Sequence, residues 1–327
     1  MAILVTGGAG FIGSHVCEWL LDRKDSVICI DNFNDYYNPK IKEKNIKGCL
    51  SNTNFKVYRT DIRDFEKLEN VFLENNIKKI VHMAARAGVR ASLMNPKLYF
   101  DVNVNGTKNL LDLAVKYNIK NFVFGSSSSV YGTNKKIPFS ESDETNNQIS
   151  PYGKSKKEAE ILCKKYHEKS KLNITCLRLF TVYGPRTRPD MALYKFVDKI
   201  SKDEPISIYT DKEDFEKGEM ARDFTFIKDI VDGIVLALDK VRGFEIFNLG
   251  KGQPIKLNEF ISIIESCLGK KAIKKFVGRQ EGDVPITYAD ISKAKKMLRY
   301  NPTSNIKEGI KEFVDWFRRM ENEDSFC

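Results

Sequence analysis

No stretch of the chain approaches the roughly 18 uninterrupted apolar residues of a membrane-spanning helix. Its start, Met1-Ala2-Ile3-Leu4-Val5, runs straight into Thr6-Gly7-Gly8 without a basic region or a cleavage site. These absences predict a soluble, unexported, cytoplasmic protein with no membrane partner. Cysteine is present without the short paired spacings that zinc or dithiol chemistry needs: the seven stand at 17, 29, 49, 163, 176, 267 and 327. They read as buried thiols in a reducing compartment, and no metal is expected. Internal repeats and low-complexity segments are also lacking. An excess of 54 Lys+Arg over 44 Asp+Glu gives a formal charge of +10, but no nucleic-acid recognition motif accompanies it. The expectation is lysine-rich solvated faces, no nucleic-acid partner, and a surface suited to an anionic metabolite.

What is present is material for a large folded unit. At 327 residues and 42% hydrophobic, the chain can bury a sizeable core and exceeds a usual single domain. Short β-rich runs alternate with helical patterns through the first 180 residues. The strands are expected at Ile3–Val5, Val27–Ile30, Phe55–Tyr58, Ile80–His82, Phe122–Phe124 and Ile174–Leu177, with helices over 12–21, 65–73, 104–117 and 152–166. That rhythm predicts an α/β fold with a doubly wound parallel sheet of Rossmann type, residues 1–182. After Gly184-Pro185 the alternation breaks, which predicts a smaller α/β substrate lobe over 183–327, with a strand near 244–250 returning to the main sheet and a terminal helix over 306–320.

The first strand ends in Thr6-Gly7-Gly8-Ala9-Gly10-Phe11-Ile12-Gly13 and a helix follows at once. Glycines here let backbone amides approach a pyrophosphate at the positive end of the helix. Asp31, ending the second strand, supplies the carboxylate that a ribose 2′-hydroxyl needs and that would repel a 2′-phosphate; Asn32-Phe33-Asn34 offers no arginine to receive one. NAD is therefore expected over NADP. Asp61, after the third strand, suits either a place near the adenine or a helix cap.

Tyr-x-x-x-Lys occurs three times, at Tyr36/Lys40, Tyr131/Lys135 and Tyr152/Lys156. Pro39 breaks the first and Gly132 interrupts the second, whereas Ser150-Pro151 starts a helix that stacks Tyr152 and Lys156 one turn apart. An ammonium beside a phenol lowers the tyrosine pKa from about 10 and makes it a general base. A hydroxyl from the run Ser126-Ser127-Ser128-Ser129 can bind the oxygen being oxidised.

These motifs, with Ala84-Ala85-Arg86-Ala87-Gly88-Val89-Arg90, Arg178-Leu179-Phe180-Thr181-Val182-Tyr183-Gly184-Pro185 and Arg222-Asp223-Phe224-Thr225, resemble the extended short-chain dehydrogenases/reductases that act on nucleotide sugars. Within that family, Thr181 and the loop from Gly184 to Ala192 are most similar to UDP-glucuronate 4-epimerases. The resemblance implies catalysis by Ser127, Tyr152 and Lys156. It implies an NAD site formed by Gly7, Gly10, Phe11, Ile12, Gly13, Asp31, Asn32, Asp61, Ile62, Ala84 and Ala85 together with Tyr152 and Lys156. A UDP-sugar would meet Ser127, Ser128, Thr181, Arg186, Arg188, Arg222, Gln280, Asp283 and Thr287. A homodimer through the helices 104–117 and 152–166 is also implied.

Ser128 and Ser129 stand where related dehydratases and decarboxylases carry acids, which favours epimerisation over elimination. Arg186 and Arg188 have no task on a neutral sugar, yet either can grip a C6 carboxylate, and Arg188 is favoured. Thr287, small where some epimerases are bulky, keeps UDP-N-acetylglucosamine and UDP-glucose open as alternative substrates.

Overall fold

The structure is a computed structural model and describes residues 1–278 and 284–325. Its centre follows from strands that are apolar on both faces. In β1 (Ala2–Thr6), Ile3 and Val5 enter one core while Ala2 and Leu4 enter the other. β2 (Ser26–Asp31), β3 (Phe55–Arg59), β4 (Ile77–His82), β5 (Asn121–Ser127) and β6 (Asn173–Leu179) join it in the order 6-5-4-1-2-3, every pair parallel. The strand Phe244–Leu249 pairs parallel with β6 and completes seven strands, as its sequence predicts. The order reverses between β1 and β4, so their C-terminal ends frame a crevice, the usual ligand position of such sheets.

Helices cover both faces. Phe11–Asp22 (α1) lies beside Ile227–Lys240, and the latter packs on β4, β5 and β6. Phe65–Glu74, Gly106–Lys116 and Pro151–Ser170 cover the opposite face. The helix expected over 104–117 is longer and less regular. A short helix Pro96–Phe100 and a π turn Asp101–Asn105 precede Gly106–Lys116, and the bulge directs Asn103 inward to hold both backbone groups of Arg86. A helix not expected from sequence, Pro39–Ile46, follows β2; its mean hydropathy is low, so no apolar period announces it.

Beyond residue 180, strand Thr181–Tyr183 pairs with Phe224–Phe226, and Ala221–Arg222 lies between Ile255–Lys256 and Ile286–Thr287. Lys274–Phe276 pairs with Ile206–Ile208. The polar stretch after Thr210 contains the helix Lys212–Lys217. The final helix, Ile306–Ser325, buries Ile310, Phe313, Val314 and Phe317. Among the described residues no helix is long and apolar enough to cross a membrane, and no group of side chains could hold a metal ion. Cys17, Cys29, Cys49, Cys163 and Cys176 are free and buried.

Candidate active site

The crevice at the sheet's C-terminal edge is a solvent-open groove of about 1170 Å³. Its floor is the turn after β1. Gly7 has φ +66°, and a Cβ there would meet the Ala84 amide nitrogen at 2.7 Å; a Cβ on Gly13 would lie 2.1 Å from the Gly7 carbonyl oxygen. Only glycine permits this approach. The N-cap of α1 is Gly10, which supplies no side-chain acceptor, so the first-turn amides of Phe11, Ile12 and Gly13 face an uncapped helix end that favours an anion. Asn45 bonds the Ala9 carbonyl at 3.0 Å and Thr6 bonds His82 at 2.7 Å, fixing the turn from below.

Asp31 is buried at the end of β2. Its Oδ1 accepts the Phe33 amide at 2.8 Å and the Lys42 ammonium at 2.9 Å. Asp61 accepts from Asn32 and Arg63; burial would raise its carboxyl, but those bonds bring it down to about 2. The Asp61 contact with the Asn32 amide, which pins the loop after β2, adds to the two roles left open by the sequence. The thirteen residues expected at NAD all line this one groove. The glycine cradle, the uncapped helix and the Asp31 carboxylate fit a dinucleotide without a 2′-phosphate.

Tyr152 and Lys156 enter the groove from Pro151–Ser170, whose N-cap Ser150 accepts the Gly153 amide at 3.1 Å. Ser127 ends β5, and its Oγ lies 3.2 Å from Ser129 Oγ. The charge pattern differs from the expected one. Burial raises the Tyr152 phenol above 10, with the charge of Asp190 adding to it and the Ser127 hydroxyl and the charge of Arg188 opposing it. Lys156 directs its ammonium to the Gly125 carbonyl at 2.7 Å, and burial lowers it to about 8. Lys156 is turned to the Gly125 carbonyl, and the side chains that offset burial at Tyr152 are Ser127 and Arg188.

The expected substrate residues separate. Arg188 lines the groove with Tyr152. Arg186 does not join them: at φ +67°, it faces α1, where its guanidinium takes Glu18 at 2.9 Å and Ser14 at 3.2 Å. The adjacent Pro185 carbonyl meets His15 at 3.0 Å, so this part of the loop is an anchor to the helix. Thr181 donates its amide to the Asp223 carbonyl, and Arg222 lies opposite Thr287 in the small sheet, donating to the Pro285 carbonyl at 2.7 Å. Ser128 begins a 3₁₀ turn that ends at Tyr131, whose hydroxyl is committed to Asn248 at 2.6 Å. Gln280 and Asp283 lie outside the described residues.

Several groove residues escaped the sequence reading. Lys42 sits on the unforeseen helix, and Tyr36 and Tyr37 on the loop after β2. Asp190 grips Arg188 through Nε at 2.8 Å and Nη2 at 3.0 Å. The Arg-x-Asp spacing 188/190 was the available signal for that pair. Asp223, within the Arg-Asp-Phe-Thr run, accepts the amides of Lys251, Gly252 and Ala289 and ties the small sheet to the main one.

Fold and groove together define a Rossmann-type enzyme that binds a dinucleotide, with Tyr152 at the sheet's edge. The chain belongs to the NAD dependent epimerase/dehydratase family, whose model matches residues 3–250, and its cofactor is NAD. It is 44% identical to a UDP-glucuronate 4-epimerase of Thermodesulfobacterium geofontis, over 96% of this chain and 95% of that one. The UDP-glucuronic acid 4-epimerase of Bacillus cereus, solved with UDP-glucuronic acid and NAD, superposes with a TM-score of 0.90 at 37% identity, covering 98% of this chain and all of that one. A UDP-glucose 4-epimerase of Thermotoga maritima, solved with UDP-glucose, gives 0.88 at 32% identity, covering 98% and 100%.

Proposed function

We propose that the chain interconverts UDP-glucuronate and UDP-galacturonate. The observation that carries this reading is Arg188, the one arginine of the 184–192 loop that shares the groove with Tyr152. Its remaining guanidinium edge suits a C6 carboxylate. Likeness to named UDP-glucuronate 4-epimerases over nearly the whole chain supports it.

Bound NAD supplies a reversible acceptor for the C4 hydride. Ser127 holds the 4-oxygen and Tyr152 takes its proton through the phenolate oxygen, with Arg188 favouring the phenolate. Lys156 keeps a positive charge behind the tyrosine. Once the 4-keto sugar has turned its other face, Tyr152 returns the proton to the same oxygen. Ser129, held by Ser127, offers no acid for elimination. Asp31, held by Lys42, would bind the ribose hydroxyls and the glycine turn would hold the diphosphate, which would retain the cofactor through the cycle.

UDP-glucose and UDP-N-acetylglucosamine form the second reading, favoured by the small Thr287 beside Arg222. Residues 183–327, apart from the return strand and the helix Ile227–Lys240 that packs on the main sheet, are proposed to serve mainly the UDP-sugar. A homodimer is proposed through Gly106–Lys116 and Pro151–Ser170, where Val115 and Ile161 are each 39% exposed. Five buried, unpaired thiols support a reducing cytoplasm. Incubation with UDP-glucuronate, UDP-glucose and UDP-N-acetylglucosamine in separate tubes, with products resolved by NMR, tests the reading. UDP-galacturonate formed at the highest rate is expected; faster conversion of a neutral sugar would replace it.

A further inference from the structure

Arg188 already holds a carboxylate of the chain's own. Asp190 takes the guanidinium edge formed by Nε and Nη2, at 2.8 and 3.0 Å. Asp190 is itself fixed from a second side, since its Oδ2 also accepts the Tyr36 hydroxyl at 3.3 Å. That hydroxyl is wedged against Gly88, where an added Cβ would come within 2.4 Å of it. Two loops, after β2 and after Thr181–Tyr183, therefore meet at one carboxylate, with the loop after β4 packed against the Tyr36 hydroxyl. An acidic side chain here opposes the recognition of an acidic sugar: it neutralises Arg188 beforehand and repels a second carboxylate. It also fixes the plane of the guanidinium, because a paired bond allows a single orientation.

We infer that Asp190 is a specificity-determining positioning residue. It spends part of the attraction between Arg188 and the substrate carboxylate to hold the guanidinium in one plane, so that only the edge carrying Nη1 remains for the sugar acid. Among the described residues, the hydrogen bonds of Arg188 run through Nε and Nη2 alone. A carboxylate seated on that edge is fixed in orientation as well as in place. Orientation matters after oxidation at C4, when the sugar is a β-keto acid. If the C5–C6 bond turns perpendicular to the carbonyl plane it can break: its electron pair forms the C4 enolate, CO2 leaves, and C5 takes up a proton. Asp190 acts through Arg188 and touches neither the reacting atoms nor the cofactor in this account.

The inference rests on UDP-glucuronate being the substrate, and the test separates the two. Wild type, Asp190→Asn and Asp190→Glu are compared as NAD-bound proteins on UDP-glucuronate and UDP-glucose, with KM, kcat and released CO2 measured. Asp190→Asn keeps a hydrogen-bond acceptor for Nε but removes the charge. It should lower KM for UDP-glucuronate on the order of 3- to 10-fold, as one competing charge near a partly solvated cation would. KM for UDP-glucose should be unchanged, and the fraction of turnovers ending in CO2 should rise. Asp190→Glu should move KM and the CO2 fraction back towards wild type. An unchanged or higher KM for UDP-glucuronate in a folded, NAD-bound Asp190→Asn, or equal shifts for both sugars, overturns the role of Asp190 alone. Wild type that fails to convert UDP-glucuronate overturns the substrate reading and this inference with it.

Discussion

At the dinucleotide turn, backbone geometry decides the outcome: a Cβ on Gly13 collides with Gly7, so no side-chain arrangement elsewhere could substitute for the glycine. The substrate loop behaves in the opposite way. Arg186 and Arg188 have the same chemistry and almost the same position, yet one reaches α1 and the other the groove, because Glu18 waits on one side and Asp190 on the other. The cofactor end is specified by what the backbone excludes. The substrate end is specified by which partner each long side chain meets: Asp190 stands two residues from Arg188, but Glu18 lies 168 residues from Arg186, where spacing rules do not reach.

The largest expected effect lies at the junction of the two regions. Tyr152→Phe should retain bound NAD, measured after denaturing the purified protein, and lose on the order of 10²- to 10⁴-fold in turnover of every UDP-sugar. Full activity would remove the tyrosine from the mechanism. At the cofactor end, Gly13→Ala should give the converse result: protein purified without NAD, and inactive for that reason, since the added methyl has only backbone to displace. If it purifies with its cofactor, the account of the turn is wrong.

The substrate loop supplies a sharper contrast. Arg188→Ala should cost about 2 kcal/mol in transition-state stabilisation with UDP-glucuronate and far less with UDP-glucose. Arg186→Ala should weaken both sugars alike and slightly, by about 1 kcal/mol or less, because its partly exposed pair with Glu18 only anchors the loop. Equal acid selectivity in the two variants would erase the distinction between these neighbours.

Smaller effects concern protons. Burial lowers Lys156 to about 8, so turnover should decline as pH rises through 8 and the ammonium behind Tyr152 is lost. Burial, with the charge of Arg186, lowers His15 from 6.5 to about 4, and burial with that of Lys156 lowers His82 to about 3. Both folded values lie below the unfolded one, so only the unfolded chain takes up these protons between them. Their contribution to stability is whole above about 6.5 and lost as pH falls through 4 towards 3. Thermal melts at pH 7 and pH 4.5 should show it; a melting point unchanged between them would contradict the buried neutral state.

Much of the fold was legible because its strands are short, apolar on both faces and separated by periodic helices, and because the glycine turn states its own constraint. The seven strands and the helices Phe11–Asp22, Phe65–Glu74 and Pro151–Ser170 stand where the periodicity puts them, whereas Ile227–Lys240, which covers β4, β5 and β6, was not among the expected helices. Helix Pro39–Ile46 was not legible, being polar along most of its length, although it carries the Lys42 that meets Asp31. The π turn before Gly106 arises from packing around Asn103 and leaves no pattern in sequence. At the site, residue types were legible and pairings were not. The Tyr-x-x-x-Lys spacing located Tyr152 and Lys156, but nothing in it shows that Lys156 turns to Gly125 and that Arg188 supplies the opposing charge.

In this mechanism C4 is inverted by passing one hydride to the retained cofactor and back, while Tyr152 takes and returns the proton of the 4-hydroxyl. Conversion of UDP-glucuronate deuterated at C4, without added NAD and followed by NMR, tests it most directly. The account predicts UDP-galacturonate that keeps its deuterium at C4 and its protium at C5. Deuterium lost from C4, or exchange with solvent at C5, would contradict it.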